Sequence, residues 1–164
     1  MEELTHLDAA GRPRMVDVAE KPETLREATA RGEIRMRPET LRRIREGTVA
    51  KGDVLAVAQL AGIQAAKRTW ELIPLCHAIP LAGVELSFQL DEARSCVEIR
   101  ATARAVARTG VEMEALVAVM GAALAIYDMC KALDREMVIT DVWLERKTGG
   151  LSGTFVRGLR SGEG

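Results

Sequence analysis

The sequence predicts an α+β domain in which helices cover one face of an antiparallel sheet, as in ferredoxin-like folds. Two alternating segments, 83–90 and 95–107, flank a short turn and predict a β-hairpin. A long apolar segment, 111–133, predicts a helix. The predicted order is helix, strand, strand, helix, strand, with further strands in front. This order favours helices packed together on one side of the sheet.

The first elements have weaker patterns. Residues 14–18 predict a short strand. Residues 24–36 fit either a strand or a helix, although the alternation at their end favours a strand. Pro38 is suited to begin a short polar helix, and Gly47 is suited to end it.

The middle and the end of the domain are better defined. Asp53 is a favourable N-cap for an apolar helix over residues 54–68. Residues 72–80 predict a loop bracketed by Pro74 and Pro80, and residues 137–144 predict the last strand. Together with the hairpin and the long helix, these elements complete the predicted fold.

Length and composition indicate one globular domain of 164 residues. The chain has 48% hydrophobic residues, 29% charged residues and a net charge of -1, a balance that implies no basic surface for nucleic acid. Its five aromatic residues form no pattern typical of an RNA-stacking platform. We expect a mobile N-terminal segment over residues 1–13, a single catalytic domain over residues 14–147 and a Gly-rich tail over residues 148–164.

The cysteines and the N-terminus indicate an intracellular protein. Cys76, Cys96 and Cys130 are odd in number and lack C-x-x-C spacing, so they predict neither a disulfide framework nor a zinc ribbon. The first residues contain early charges and no apolar run, which is unlike a secretory signal. We therefore expect a cytoplasmic location.

The long helix predicts self-association. Residues 115–127 carry no charge and are apolar all round, but thirteen residues are too few to span a membrane. Ala118, Gly121, Ala122 and Ala125 permit a close approach of another helix. We expect this helix to be buried by its own sheet on one side and by a second subunit on the other.

The chain uses lysine sparingly, with 18 arginines and five lysines. Lysine can lose its proton when desolvated, whereas arginine effectively cannot. A lysine inside a motif is therefore a candidate for proton transfer. Lys51 lies in G-T-V-A-K-G-D, which lacks the order of a P-loop, and the alternative is a solvated loop lysine.

Three further motifs have both a functional and a structural interpretation. His77, in P-L-C-H-A-I-P, is suited to phosphate binding or proton transfer, or is simply a packed loop residue. Glu112 and Glu114 could bind the N–H groups of a purine or pterin, but Thr109 and Glu112 also fit a capping box. Lys147, before two glycines, suggests an anion site or a flexible end to a strand.

Asp128 and Lys131 are three residues apart and share one face of the long helix. They form either an ion pair or an acid/base pair whose burial would tune both groups toward neutral pH. Glu114 and Asp128 are 14 residues apart, which is roughly 21 Å along a helix. If both serve one small substrate, a second subunit must complete the site.

These motifs together resemble the cyclic pyranopterin monophosphate synthase family, the MoaC-type proteins of molybdenum cofactor synthesis. The resemblance extends from L-T-H-L-D to G-G-L-S-G, nearly the whole chain. It includes R-M-V-D-V-A-E-K, T-V-A-K-G-D-V, L-I-P-L-C-H, T-G-V-E-M-E-A-L, I-Y-D-M-C-K-A-L-D and K-T-G-G. One departure is Ala78, which follows His77 where proline is expected and predicts a looser loop.

The resemblance implies a ferredoxin-like homohexamer, a trimer of dimers with sites at subunit interfaces. It implies conversion of 3',8-cyclo-7,8-dihydroguanosine 5'-triphosphate to cyclic pyranopterin monophosphate with release of diphosphate. It implies no cofactor, although Mg²⁺ could accompany the triphosphate, and no nucleic-acid or membrane partner. By position, the family's catalytic residues match Lys51, Asp128 and Lys131. Its substrate-binding segments match Leu75, Cys76, His77, Glu112, Met113 and Glu114, and its phosphate or pterin contacts match Arg26 and Lys147.

Two other functions remain open at this stage. A phosphoester hydrolase or acylphosphatase-like enzyme could use the same fold, but it would need an Arg/Asn anion site and the chain contains no Asn. A non-catalytic ligand-binding or oligomerising module would not require a lysine and an aspartate one helical turn apart. Activity with the cyclic dihydroguanosine triphosphate distinguishes all three.

Overall fold

A computed structural model describes residues 6–158 and contains one five-stranded antiparallel sheet with the order β2-β3-β1-β4-β5. The strands are β1 (Thr24–Arg35), β2 (Gly83–Asp91), β3 (Cys96–Ala107), β4 (Val138–Thr148) and β5 (Phe155–Val156). The helices are α1 (Pro38–Glu46), α2 (Val54–Lys67), α3 (Thr69–Leu72) and α4 (Glu112–Cys130). The predicted α+β fold is confirmed.

The central strand β1 resolves the ambiguity of residues 24–36. It pairs along its whole length with β3 and over most of its length with β4. Its twelve residues include two Ala, two Glu and one Gly, which are residue types that are depleted in strands. The ladders on both sides therefore determine its conformation, and Ala28, Ala30 and Ile34 point into the core.

Helices α2 and α4 lie together on one face of the sheet. The core between them and the strands contains Ile34, Ile99 and Ile126. A Cβ on Gly121 would lie 2.6 Å from the Cβ of Ala65 on α2, so only glycine permits this close approach. Small residues thus bring the two helices together, as the sequence predicted for α4, although here the neighbour is α2 of the same chain.

By length and composition alone, α4 could also cross a membrane. However, 56% of its most apolar 18-residue stretch is buried inside the molecule, and the core helix of a globular domain has the same composition. The structure therefore gives α4 the position of a core helix.

Two expectations about the ends of the domain differ from the structure. The strand predicted over residues 14–18 is wrong, because these residues form no regular secondary structure and pair with no strand. The only bridge nearby joins Leu7 to Pro13. At the other end β5, which the sequence did not predict, pairs with β4. Parts of the expected mobile segment and tail, residues 1–5 and 159–164, lie outside the described residues.

Candidate active site

Asp128 lies at the centre of the first cluster of candidate residues. Its carboxylate pairs with Lys131, with Nζ 2.8 Å from Oδ1, and with Lys51, with Nζ 3.2 Å from Oδ2. Lys51 also donates a hydrogen bond of 3.0 Å to the backbone carbonyl of Asp128. The structure therefore brings together all three residues that the resemblance implied to be catalytic.

Different elements position the members of this cluster. Asp128 and Lys131 belong to the last turn of α4 and its C-cap. Lys51 precedes Gly52, whose φ of 115° suits glycine, and Asp53, whose side chain accepts a hydrogen bond from the Ala56 N–H to cap α2. The Lys51 ammonium thus lies at the negative end of the α4 dipole, where a cation is favourable.

The cluster is open to solvent, contrary to the expected burial. The side chains of Lys51, Asp128 and Lys131 are 46%, 58% and 52% exposed. Hydrogen bonds from Lys131 and Lys51 hold the pKa of Asp128 below its usual value, not near neutrality. The expected burial of Asp128 and Lys131 is therefore wrong, because α4 buries Ile126 and Met129 and presents Asp128 outward.

A second cluster surrounds the first turn of α4. Glu112 pairs with Lys147, with 3.0 Å between Oε1 and Nζ. Lys147 also donates a hydrogen bond of 2.8 Å to Ser152 Oγ. The predicted capping box is wrong, because Val111 is the N-cap and no side chain caps the helix. Glu112 instead folds back over Gly110 and reaches strand β4 through Lys147.

Glu114 is the buried acid of this second cluster. It is only 3% exposed, and desolvation raises the pKa of its carboxyl to about 7. A hydrogen bond from its own backbone N–H opposes the shift, and the negative charge of Glu112 adds to it. Near neutral pH this carboxyl can therefore either donate or accept a hydrogen bond.

Arg26 lies beside the same end of α4. Its guanidinium donates hydrogen bonds to the carbonyls of Ala107, at 3.3 Å, and Arg108, at 3.2 Å. A Cβ on Gly150 would lie 2.0 Å from Arg26 Nη1, so the segment after β4 lies directly against the guanidinium. Arg26 and Lys147 thus bring two cationic side chains to the region in front of Glu112.

The loop before β2 joins this cluster through Cys76 and His77. Desolvation raises the pKa of the Cys76 thiol, and the negative charges of Glu114 and Glu112 raise it further. His77 Nε2 lies 2.7 Å from the carbonyl oxygen of Val16. Leu75 and Met113 are half-buried in the same two segments. Cys76 therefore lies near the two acids at the start of α4, and Leu75 and His77 are its neighbours in the chain.

The two clusters lie at opposite ends of one helix. Glu114 lies in the first turn of α4 and Asp128 in its last turn, which separates them by roughly 21 Å. Two residues that contact these clusters, Ser152 and Val16, were not predicted as candidates from the sequence. Ser152 lies in the G-G-L-S-G motif that was quoted only for the resemblance, and Val16 acts through its backbone carbonyl, which no side-chain pattern reveals.

A cavity in the described part of the chain lies away from both clusters. It has a volume of about 640 Å³ and lies on the sheet face opposite the helices. Two of its arginines form the pairs Arg31–Glu145 and Arg94–Glu33, whereas Arg157 donates a hydrogen bond to the Leu144 carbonyl and lies over the Trp143 ring. The lining contains four arginines and four acids, so their formal charges balance. Within residues 6–158 no group of three His, Cys, Asp or Glu side chains is placed to hold a metal ion.

Comparison with known proteins gives a consistent result. The model of the MoaC family matches residues 15–150. A cyclic pyranopterin monophosphate synthase from Roseiflexus sp. (strain RS-1) is 63% identical over 95% of this chain and 99% of its own length. Proteins of the same name from Thermomicrobium roseum and Heliobacterium modesticaldum are 62% and 59% identical, each over 96% of this chain and at least 95% of their own lengths.

Proposed function

The chain belongs to the MoaC family, and we propose that its two clusters act together in one reaction. Its activity is that of a cyclic pyranopterin monophosphate synthase, a lyase of molybdenum cofactor biosynthesis. The reaction converts 3',8-cyclo-7,8-dihydroguanosine 5'-triphosphate to cyclic pyranopterin monophosphate and releases diphosphate. The residue roles described below are our proposal.

The pairing of one carboxylate with two lysines is the observation that supports the catalytic assignment. Opening a purine-derived ring and closing a pterin requires several proton transfers. Lys51 and Lys131 are amines that can give and take protons. Both lie within hydrogen-bonding distance of the Asp128 carboxylate, which holds them close together. The same positive charge favours the departure of diphosphate.

The second cluster is suited to binding the substrate. Glu112 and Glu114 can accept hydrogen bonds from the N–H groups that line the edge of a guanine-derived ring. Arg26 and Lys147 are suited to phosphate oxygens. The segments that contain Leu75, Cys76, His77 and Met113 adjoin these charged groups and complete the binding cluster.

We propose that one site takes its catalytic cluster from one subunit and its binding cluster from another. A small substrate cannot reach both ends of one α4. The helix layer also exposes apolar side chains to solvent, among them Val57 and Leu60 of α2 and Met120 and Leu124 of α4. A second copy would cover this surface, and we propose a hexamer built as a trimer of dimers.

The proposal needs no resident cofactor, although Mg²⁺ could accompany the triphosphate. It includes neither a nucleic-acid partner nor a membrane partner, and it places the enzyme in the cytoplasm. The net charge of -1 is consistent with a small-molecule substrate that is recognised locally and not by a broad basic surface.

The test is to incubate the protein with the cyclic dihydroguanosine triphosphate and to measure both diphosphate and pterin product. We expect Lys51→Arg and Lys131→Arg to lower kcat by roughly 100-fold or more, since arginine keeps the charge but does not exchange its proton. Lys67→Arg, at the end of α2, is the matched control and should retain full activity.

Near-normal turnover by either arginine variant would reduce that lysine to an electrostatic contact. Release of inorganic phosphate without pterin formation would instead favour a phosphoester hydrolase.

A further inference from the structure

The hydrogen bond between His77 and Val16 determines which tautomer the neutral imidazole adopts. A backbone carbonyl only accepts hydrogen bonds, so His77 Nε2 must be the donor across the 2.7 Å distance. In the neutral ring the single proton is therefore on Nε2. The other nitrogen, Nδ1, then carries a lone pair and can only accept.

Val16 belongs to an N-terminal arm, defined here as residues 6–23, which precedes β1. The arm pairs with no strand of the sheet, and Val16 and Val18 are half-buried while most of its other side chains are exposed. The turn at residues 8–12 of the arm is stabilised within the arm itself, because the Asp8 side chain accepts hydrogen bonds from the Ala10 and Arg12 N–H groups. The bond to His77 therefore joins an otherwise peripheral segment to the binding cluster.

The surroundings of His77 favour a role on the substrate ring. The charges of Glu114 and Glu112 raise the pKa of the neighbouring Cys76 thiol, so these two acids lie near the loop. Both acids are suited to bind the N–H groups of a heterocycle. A phosphate oxygen is an acceptor and cannot bind an unprotonated Nδ1. The two cations suited to phosphate, Arg26 and Lys147, have their own partners at the α4 end.

We propose that the N-terminal arm is a positioning element of the active site. The Val16 carbonyl holds His77 as the Nε2–H tautomer, so that Nδ1 accepts a hydrogen bond or a proton from an N–H or O–H group of the substrate. The identity of that substrate rests on the proposed function, whereas the tautomer does not. In this arrangement His77 binds the heterocycle of the substrate, and other residues bind its phosphates.

The first test measures the tautomer without substrate. The chain contains only two histidines, so His6→Gln leaves His77 as the single imidazole. Solid-state ¹⁵N NMR of sedimented protein, labelled at histidine Nδ1 alone and kept at mildly alkaline pH, should show an unprotonated nitrogen. A protonated Nδ1 overturns the proposal, whatever the activity of the enzyme.

The second test distinguishes the roles of the two ring nitrogens with two amide side chains of different length. In His77→Gln the amide nitrogen can reach the position of Nε2 and keep the bond to Val16, whereas His77→Asn reaches only the position of Nδ1. Docking of the arm is measured as the rate of tryptic cleavage after Arg14. We expect slow cleavage in wild type and His77→Gln, and faster cleavage in His77→Asn.

The activities of the two variants decide whether Nδ1 acts on the substrate. With the arm still docked, His77→Gln should lose about tenfold to a hundredfold in kcat/KM, because no acceptor replaces Nδ1. Full activity of a well-docked His77→Gln would show that His77 only anchors the arm, and the proposal would be wrong. If wild type fails to turn over the substrate, the proposed function fails, and the NMR result still decides the tautomer.

Discussion

At the scale of single residues, burial of the Glu114 carboxyl lowers the stability of the fold when this carboxyl is ionised. A carboxyl in an apolar environment favours its neutral form, and its pKa of about 7 expresses that preference. In the unfolded chain the same carboxyl has its ordinary pKa of 4.5. Between these values the folded state binds more protons than the unfolded state, so the free energy of unfolding decreases as pH rises.

We predict that Glu114→Gln stabilises the protein at pH values above about 7. The isosteric amide removes the ionisation, and the pKa difference corresponds to about 3 kcal/mol at most. Below about pH 4.5 the carboxyl is neutral in both states, so the variant and wild type should differ little. Urea unfolding at about pH 5 and about pH 8 measures the effect.

Glu112→Gln is the matched control for this experiment. It makes the same change two residues earlier but breaks the ion pair with Lys147, so it should gain no stability at alkaline pH. An unfolding free energy of Glu114→Gln that declines with pH as steeply as that of wild type would contradict the assignment of the shift to Glu114.

At the scale of elements, the contact between α2 and α4 determines whether the catalytic cluster forms. Lys51 precedes α2, whereas Asp128 ends α4, so their distance depends on how the two helices pack. Glycines permit this packing, since a Cβ on Gly62 would lie 2.9 Å from the Ala118 carbonyl. The helix contact and the catalytic pair are therefore coupled.

We predict that Gly121→Ala destabilises the protein by about 1–3 kcal/mol, because its methyl group would press on Ala65 and the Ala61 carbonyl. The helices would move apart, and activity would fall as Lys51 withdraws from Asp128. Thermal unfolding and the diphosphate assay measure the two effects. Gly83→Ala is the control, since its nearest contact would be Arg104 Nη1 at 3.9 Å. Equal behaviour of the two variants would disprove the coupling.

Most elements could be predicted from the sequence because they have local signals. Asp53 caps α2 as expected, and Gly47 ends α1 with a φ of 68°. The strand predicted over residues 14–18 is absent because an alternating pattern cannot reveal whether a neighbouring strand is available for pairing. The two-residue strand β5 is too short for any pattern, and its pairing with β4 is purely tertiary.

At the scale of the whole molecule, the two ends of α4 carry the two clusters that we propose to be halves of one site. The motifs named the residues of both clusters from the sequence, but they did not reveal that Asp128 would be exposed, because exposure depends on which face the sheet covers. Partners such as Ser152 for Lys147 depend on how the chain turns after β4. Assembly is the remaining step, and it can be tested by mixing variants.

We predict that inactive Glu114→Ala and Asp128→Ala proteins recover part of the wild-type activity when they are dissociated, mixed and reassembled. Some mixed interfaces would then contain both wild-type residues in one site. Light scattering must first show that each variant assembles to more than the 17.9 kDa monomer. Mass-tagged subunits confirm exchange, and complete exchange without recovery would place the site within one chain.

The uninterrupted helix between Glu114 and Asp128 also limits how the chain length can evolve. One inserted residue in α4 would turn everything after it by about 100° and shift it by about 1.5 Å. The acid at one end would then keep its place while the aspartate at the other faced a different direction. The turn between β2 and β3 carries no such constraint. Insertions and deletions should therefore accumulate in that turn and be absent from α4, even where its individual side chains vary.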